Sequence, residues 1–199
     1  MLRDFGVAAN ASIIAESESA VLAATSVLDY PLVLKTAAPE IAHKSDSNGV
    51  LLNLDNEERL LDAYRDISDR LGPRVLVTPM ISPGVEMTLG SKQDPQFGPV
   101  VLLGFGGIHA ELHRDVAFAL PPFDAEWARH MLDGLKYRPL LDGMRGMNAC
   151  NIDSYCEMAA NFSAMVDALG DNLSEFDINP VIVGESSIAV DALAIGRTQ

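Results

Sequence analysis

The chain is poor in positive charge. Of 199 residues only 14 are Lys or Arg, against 28 Asp or Glu, so the formal net charge is -14 at pH 7. No cluster of basic residues offsets that field, and a phosphodiester backbone would be repelled over most of the surface, which argues against a nucleic-acid partner. An anionic small molecule can bind only where a metal ion, backbone amides or a few basic side chains reverse the potential locally. Cysteine is equally scarce. Cys150 and Cys156 are too few for a disulfide framework and their spacing matches no zinc pattern, so both are expected to be reduced thiols. Long apolar runs are missing too: MLRDFGVAANASIIAESESA is interrupted by Asp4, Glu16 and Glu18, and no later segment reaches the ~18 apolar residues of a membrane span. A cytoplasmic protein without a membrane segment is expected.

The common phosphate-binding motifs are absent as well. The stretch nearest a P-loop, GVEMTLGSK, has one residue too many between its glycines. GFGGIH, at 104–109, follows an apolar run as a dinucleotide fingerprint should, but its third glycine position is His109. Neither GxSxG nor HExxH occurs.

What is present reads as an ordinary globular chain, 48% hydrophobic and 21% charged. Serines before an Ala-rich run predict a helix over Ser17 to Thr25, broken by Asp29-Tyr30-Pro31 before the strand PLVLK. VLLNL at 50–54 predicts a second strand. Leu60, Leu61, Tyr64, Ile67 and Leu71 then recur at the spacing of one helical face, between an Asp55-Asn56 cap and Gly72-Pro73. RVLVTPMI, VEMTLGS and PVVLLGFGG predict three strands separated by Pro and Gly. AEWARHMLDGL and NIDSYCEMAANFSAMVDAL read as amphipathic helices, and INPVIVGESSIAVDALAI as two strands joined by the turn Gly184-Glu185-Ser186. This order suggests two lobes sharing a cleft.

Four blocks carry a family resemblance: YPLVLKTAAPEIAHKSDSNGV, PGVEMTLGSKQDPQFGPVVLLGFGGIHAELHRDVAFALPP, LLDGMRG and SEFDINPVIVGESSIAVDA, in this order across residues 30–192. In them the chain resembles the ATP-grasp domain (β-subunit type) of ADP-forming acyl-CoA synthetases, relatives of the succinyl-CoA synthetase β subunit. The resemblance implies an α+β fold: an ATP-grasp domain of two α/β lobes enclosing a nucleotide cleft, a smaller one over about residues 1–78 and a larger one over 79–199. It implies the reversible reaction acyl-CoA + ADP + phosphate to acid + CoA + ATP, through a phosphohistidine. ATP/ADP and Mg²⁺ would be the cofactors. The partner would be a CoA-binding α subunit or domain carrying the main phosphohistidine, in a hetero-oligomer.

Residue by residue, the resemblance implies the following roles. Lys35 contacts nucleotide phosphates, as a point charge suited to that task. His43, in HKSD, lies near the transferring phosphate and acts as a secondary acceptor, and imidazole can hold a phosphoryl group transiently. The backbone around Pro79, Met80 and Ile81 receives adenine, and Glu86 helps to fix the nucleotide. Gly106 and Gly107 form a glycine-rich turn whose amides approach an anion, with Glu111 and Asp115 following. Arg145, in LLDGMRG, places a guanidinium near the phosphates. Asn179 and Asp191 match magnesium positions, with Asp177 and then Glu175 as further oxygen donors. Each of these has a plain structural alternative, such as a strand-end lysine, a loop histidine, a helix-capping arginine or a turn-forming Asn-Pro. A regulatory ATP-grasp module associated with a protein acyltransferase is the competing function, and a carbon–nitrogen ligase of the same superfamily is disfavoured by HKSD and DPQFGP. The acyl substrate is not legible.

Overall fold

A computed structural model describes residues 1–41, 47–107, 115–143 and 148–197. By their contacts the residues group into two units, Asn10–Ile81 and Met1–Ala9 with Ser82–Gln199. The expected division near residue 78 falls three residues before this boundary, and it leaves the first nine residues in the smaller part, whereas they pair within the larger.

The smaller unit is one antiparallel sheet with two helices. Its strands are β1 (Ile13–Ala15), β2 (Leu32–Thr36), β3 (Val50–Leu54) and β4 (Val75–Pro79), in the order β1-β4-β2-β3. Helix α1 (Glu18–Ala24) starts at Ser17, whose hydroxyl accepts from the Ala20 amide, and α2 (Glu57–Leu71) starts at Asn56, whose side chain accepts from the Arg59 amide. These caps satisfy amides that the first helical turn leaves unpaired. The helical-face spacing is realised: Leu60, Ala63, Tyr64 and Ile67 of α2 are buried with Leu32 and Leu34 of β2 and Val75 and Val77 of β4. Complete burial of Leu60 or Ile67 contributes about 1.5–3 kcal/mol each. Gly72 ends α2 at φ 94°, a conformation that suits glycine.

The larger unit holds a six-stranded antiparallel sheet. Its strands are β5 (Val85–Asp94), β6 (Gly98–Phe105), β7 (Val116–Ala119), β8 (Leu173–Val183), β9 (Ser187–Ala189) and β10 (Ala192–Gly196). The order is β10-β8-β5-β6-β7, with β9 also pairing to β8. Helices α3 (Ala125–Asp133) and α4 (Ile152–Leu169) pack on one face. Alternation along β6 sends Val101, Leu103 and Phe105 into that core, where Tyr155, Phe162 and Met165 of α4 meet them. Phe162 and Phe176 pack edge to face, ring centroids 5.6 Å apart.

One expectation needs correction. The segment after the Gly184-Glu185-Ser186 turn divides into β9 and β10 at Val190-Asp191, yet it keeps one register on β8, with Ala189 facing Val181 and Ala192 facing Ile178. On its other side β8 does shift against β5: Met87 faces Val181 and Leu89 faces Ile178, so Asn179 and Pro180 together oppose Thr88. Pro180 has no amide to give to a ladder, and this two-against-one arrangement is a β-bulge. Among the described residues no helix is long and apolar enough to cross a membrane, and both cysteines are free thiols.

Candidate functional site

The bulge in β8 shapes the first cluster. Phe176 and Ile178 point into the core, so Asp177 and Asn179 project from the opposite face; Asp177 is half-buried and Asn179 exposed. Across the hairpin the Asn179 amide donates to the Asp191 carbonyl (3.2 Å), and the Val190 amide donates to the Pro180 carbonyl (3.0 Å). Asn179 and Asp191 are thus backbone partners, and Asp191 Oδ1 also accepts from the Ala192 amide (3.0 Å). The bulge is tied from within: Thr88 Oγ1 donates to the Ile178 carbonyl (3.2 Å), and the buried Tyr155 hydroxyl donates to the Thr88 carbonyl (2.8 Å). Burial pushes the Tyr155 phenol far above its usual range, so it remains a donor. Glu175 lies 3.7 Å from the Lys92 ammonium, a surface ion pair.

These donors fit magnesium. An amide oxygen and one or two carboxylates from adjacent strands leave room for phosphate and water oxygens, the ligand set Mg²⁺ prefers. Among the described residues no three His, Cys, Asp or Glu side chains form a metal-holding group, so they build no closed all-protein cage.

A second cluster joins β5 to the end of β6. The Gly106 amide donates to the Glu86 carbonyl (2.8 Å). Gly107 adopts φ 59°, and a Cβ there would lie 2.5 Å from Glu86 Oε2. The left-handed conformation suits glycine, and an added Cβ would push aside the end of the Glu86 side chain. Glu86, Gly106 and Gly107, which the sequence separates by some twenty residues, are brought together. Asp115 anchors the next leg: its carboxylate accepts the Lys136 and Tyr137 amides (3.0 and 2.9 Å), and its carbonyl accepts the Phe105 amide (3.2 Å).

In the smaller unit Lys35 occupies β2, in register with Val50 of β3 and Leu76 of β4. It is buried, on the face opposite Leu32 and Leu34. At the end of β4 the Pro79 carbonyl accepts from Asn10 Nδ2 (2.8 Å), and the Met80 amide donates to the Pro31 carbonyl (2.8 Å). Of this expected adenine-binding stretch, the backbone groups without a partner among the described residues are the Met80 carbonyl and both groups of Ile81. Asn10 escaped the sequence reading, since nothing in a local pattern marks a contact spanning 69 residues. His43 and Arg145 lie outside the described residues, as does Glu111.

Comparison with known proteins places this geometry. Residues 1–195 match the model of an ATP-grasp domain. The β subunit of acetate–CoA ligase (ADP-forming) II of Pyrococcus furiosus is 34% identical over 98% of this chain and 87% of its own length. A trans-feruloyl-CoA synthase from an unknown prokaryotic organism is 37% identical over 98% of this chain, which spans only 29% of that longer protein. Among solved structures, the dinucleotide-forming acetyl-coenzyme A synthetase 1 of Ca. Korarchaeum cryptofilum, in complex with coenzyme A and Ca-AMPCP, superposes with a TM-score of 0.92. The identity is 33%, over 98% of this chain and 89% of that one. The same enzyme with coenzyme A and Mg-AMPPCP, its phosphohistidine segment pointing towards the nucleotide-binding site, gives 0.85 at 34% identity, over 98% of this chain and 88% of that one. The chain belongs to the ATP-grasp domain family, in the β-subunit type of the ADP-forming acyl-CoA ligases.

Proposed function

We propose that this chain is the nucleotide-binding β component of an ADP-forming acid–CoA ligase, interconverting acyl-CoA, ADP and phosphate with acid, CoA and ATP. The observation that supports the reading is the backbone pairing of Asn179 with Asp191 across the bulged hairpin. Asn179 and Asp191, with Asp177, would hold Mg²⁺, and the ion would supply charge neutralisation for the phosphates. The rest of the work is positioning by this chain's own residues. Lys35 supplies a fixed positive charge for the phosphates. Glu86 and the Gly106-Gly107 turn confine the nucleotide, and the Met80 carbonyl and Ile81 amide offer the acceptor and donor that an adenine edge needs. His43 takes up the phosphoryl group in transit and Arg145 contacts it. The partner is a CoA-binding α subunit carrying the main phosphohistidine, and the complex works in the cytoplasm, as two free thiols suit. Relatives acting on acetate and on ferulate match with similar identity, which supports placing acyl specificity in the partner.

The test uses the chain, its CoA-binding partner, Mg²⁺ and ATP labelled at the γ-phosphate. Acid-labile label on histidine, and its loss in His43→Ala and Asn179→Ala chains, is the expected outcome. A complex that binds nucleotide yet never labels histidine refutes the proposal in favour of a regulatory module.

A further inference from the structure

The peptide group between Ile178 and Asn179 is gripped at both ends. Its carbonyl, on Ile178, accepts from Thr88 Oγ1 of β5 (3.2 Å), and its N–H, on Asn179, donates to the Asp191 carbonyl (3.2 Å). A peptide unit is planar, so partners at its opposite ends stop it from swinging about the chain axis. The carbonyl of the next peptide, on Pro180, accepts the Val190 amide (3.0 Å), and little rotation is left at Asn179 itself. Thr88 is held in turn: it is buried, and its own carbonyl accepts the hydroxyl of the fully buried Tyr155 (2.8 Å).

The hydroxyl acts at the one place where β5 and β8 fall out of step. Asn179 and Pro180 together oppose Thr88, and Pro180 has no amide for the neighbouring strand. Alternation along β5 sends Met87 and Leu89 into the core, so Thr88 sits with Glu86 on the other face, the one from which Asp177 and Asn179 project. The side chain of Thr88 spends its single proton on the Ile178 carbonyl, 90 residues away in sequence. It thereby sets the plane from which the Asn179 side chain departs, opposite Asp191. Such a setting matters most for a small, rigidly coordinated cation. Mg²⁺ demands near-octahedral ligands at about 2.0–2.1 Å, whereas Ca²⁺ tolerates about 2.3–2.6 Å and irregular geometry.

We propose that Thr88 is a positioning residue for magnesium, its hydroxyl fixing the Ile178–Asn179 peptide so that Asn179 and Asp191 meet one small ion. The inference rests on the reading of these two residues as metal donors. Thr88 acts through the Ile178 carbonyl, and its contribution is selectivity for Mg²⁺ over Ca²⁺ as well as affinity.

The experiment compares wild type, Thr88→Val, Thr88→Cys and Thr88→Ser as full chains. Each is titrated calorimetrically with ADP in EDTA, in Mg²⁺ and in Ca²⁺, and its thermal midpoint is measured. Valine keeps the shape without the hydroxyl, a thiol is a weak donor, and serine keeps the hydroxyl. Thr88→Val is expected to weaken binding about 10-fold in Mg²⁺, about threefold or less in Ca²⁺ and less than about twofold in EDTA. Thr88→Cys follows the same order with a smaller loss, and Thr88→Ser restores the wild-type ratio of Mg²⁺ to Ca²⁺ affinity. A wild-type ratio in either Thr88→Val or Thr88→Cys overturns the positioning role and leaves the functional reading standing. So does a loss equal in all three solutions, or one that Thr88→Ser shares, since the role is then structural alone. A wild-type chain whose ADP affinity is the same with and without metal overturns the reading of Asn179 and Asp191, and this inference with it.

Discussion

Removing one oxygen atom, in Tyr155→Phe, tests how the bulge of β8 is held. The ring of Tyr155 is fully buried and its hydroxyl is the partner of the Thr88 carbonyl at 2.8 Å. The substitution keeps the ring and leaves a buried carbonyl without that donor, a loss of about 1–3 kcal/mol. For a chain of this length the thermal midpoint should fall by about 2–12 °C. The pH dependence supplies a sharper check. Burial raises the folded-state phenol, with Cys156 adding to the effect, so the unfolded chain gives up this proton first, near the ordinary value of 10.0. The stability held by this group is complete below about pH 10 and declines above it, by up to about 1.4 kcal/mol per pH unit. The variant has no proton to lose there, while Tyr30 and Cys156, also shifted upward, are common to both proteins. Urea titrations from pH 7 to 11.5 should therefore show the wild-type advantage shrinking above pH 10. An advantage that stays constant over that range, or a variant as stable as wild type at pH 7, would refute the reasoning.

Asn179→Ala and Asp191→Ala should each weaken Mg-nucleotide binding about 10-fold or more while barely altering metal-free binding, as read by calorimetry with and without Mg²⁺. Asp191→Ala should also cost about 1 kcal/mol of stability, because its carboxylate accepts the Ala192 amide. Gly107→Ala should lose about 1–2 kcal/mol from its left-handed backbone and displace the Glu86 carboxylate. Adding Glu86→Ala should relieve the crowding but not the backbone cost, so denaturation of the double variant should recover only part of the loss. Asn53, exposed in β3 at φ 57°, should gain a few tenths of a kcal/mol as Asn53→Gly, and a loss above ~0.5 kcal/mol in chemical denaturation would contradict that assignment.

Local chemistry made the helices legible. Ser17, Asn56 and Asn151 all cap helices where side-chain oxygens precede apolar periodicity. The short strands β1 and β7 left weaker traces, since three or four residues hold too little alternation to stand out. The break between β9 and β10 was hidden because it depends on Pro180, which sits on the neighbouring strand, and not on the apolar run itself. The site was legible as residue types through the resemblance, but its geometry was not: Glu86 reaches Gly107 only because β5 and β6 pair in one particular register. Asn10, Thr88 and Asp115 act through backbone carbonyls and amides far away in sequence, and such contacts impose no periodic pattern.

The opening residues of the chain cross over to the larger unit. Val7 is fully enclosed in that unit's core, and the Ala189 amide donates to the Ala8 carbonyl beside the bridge of Ala9 to Ala189. The core of the larger unit is thus assembled from two stretches that the whole of the smaller unit separates in sequence. Its closure depends on a contact of high sequence separation, and damage to residues 1–9 would be felt in the core beside β8 and β9.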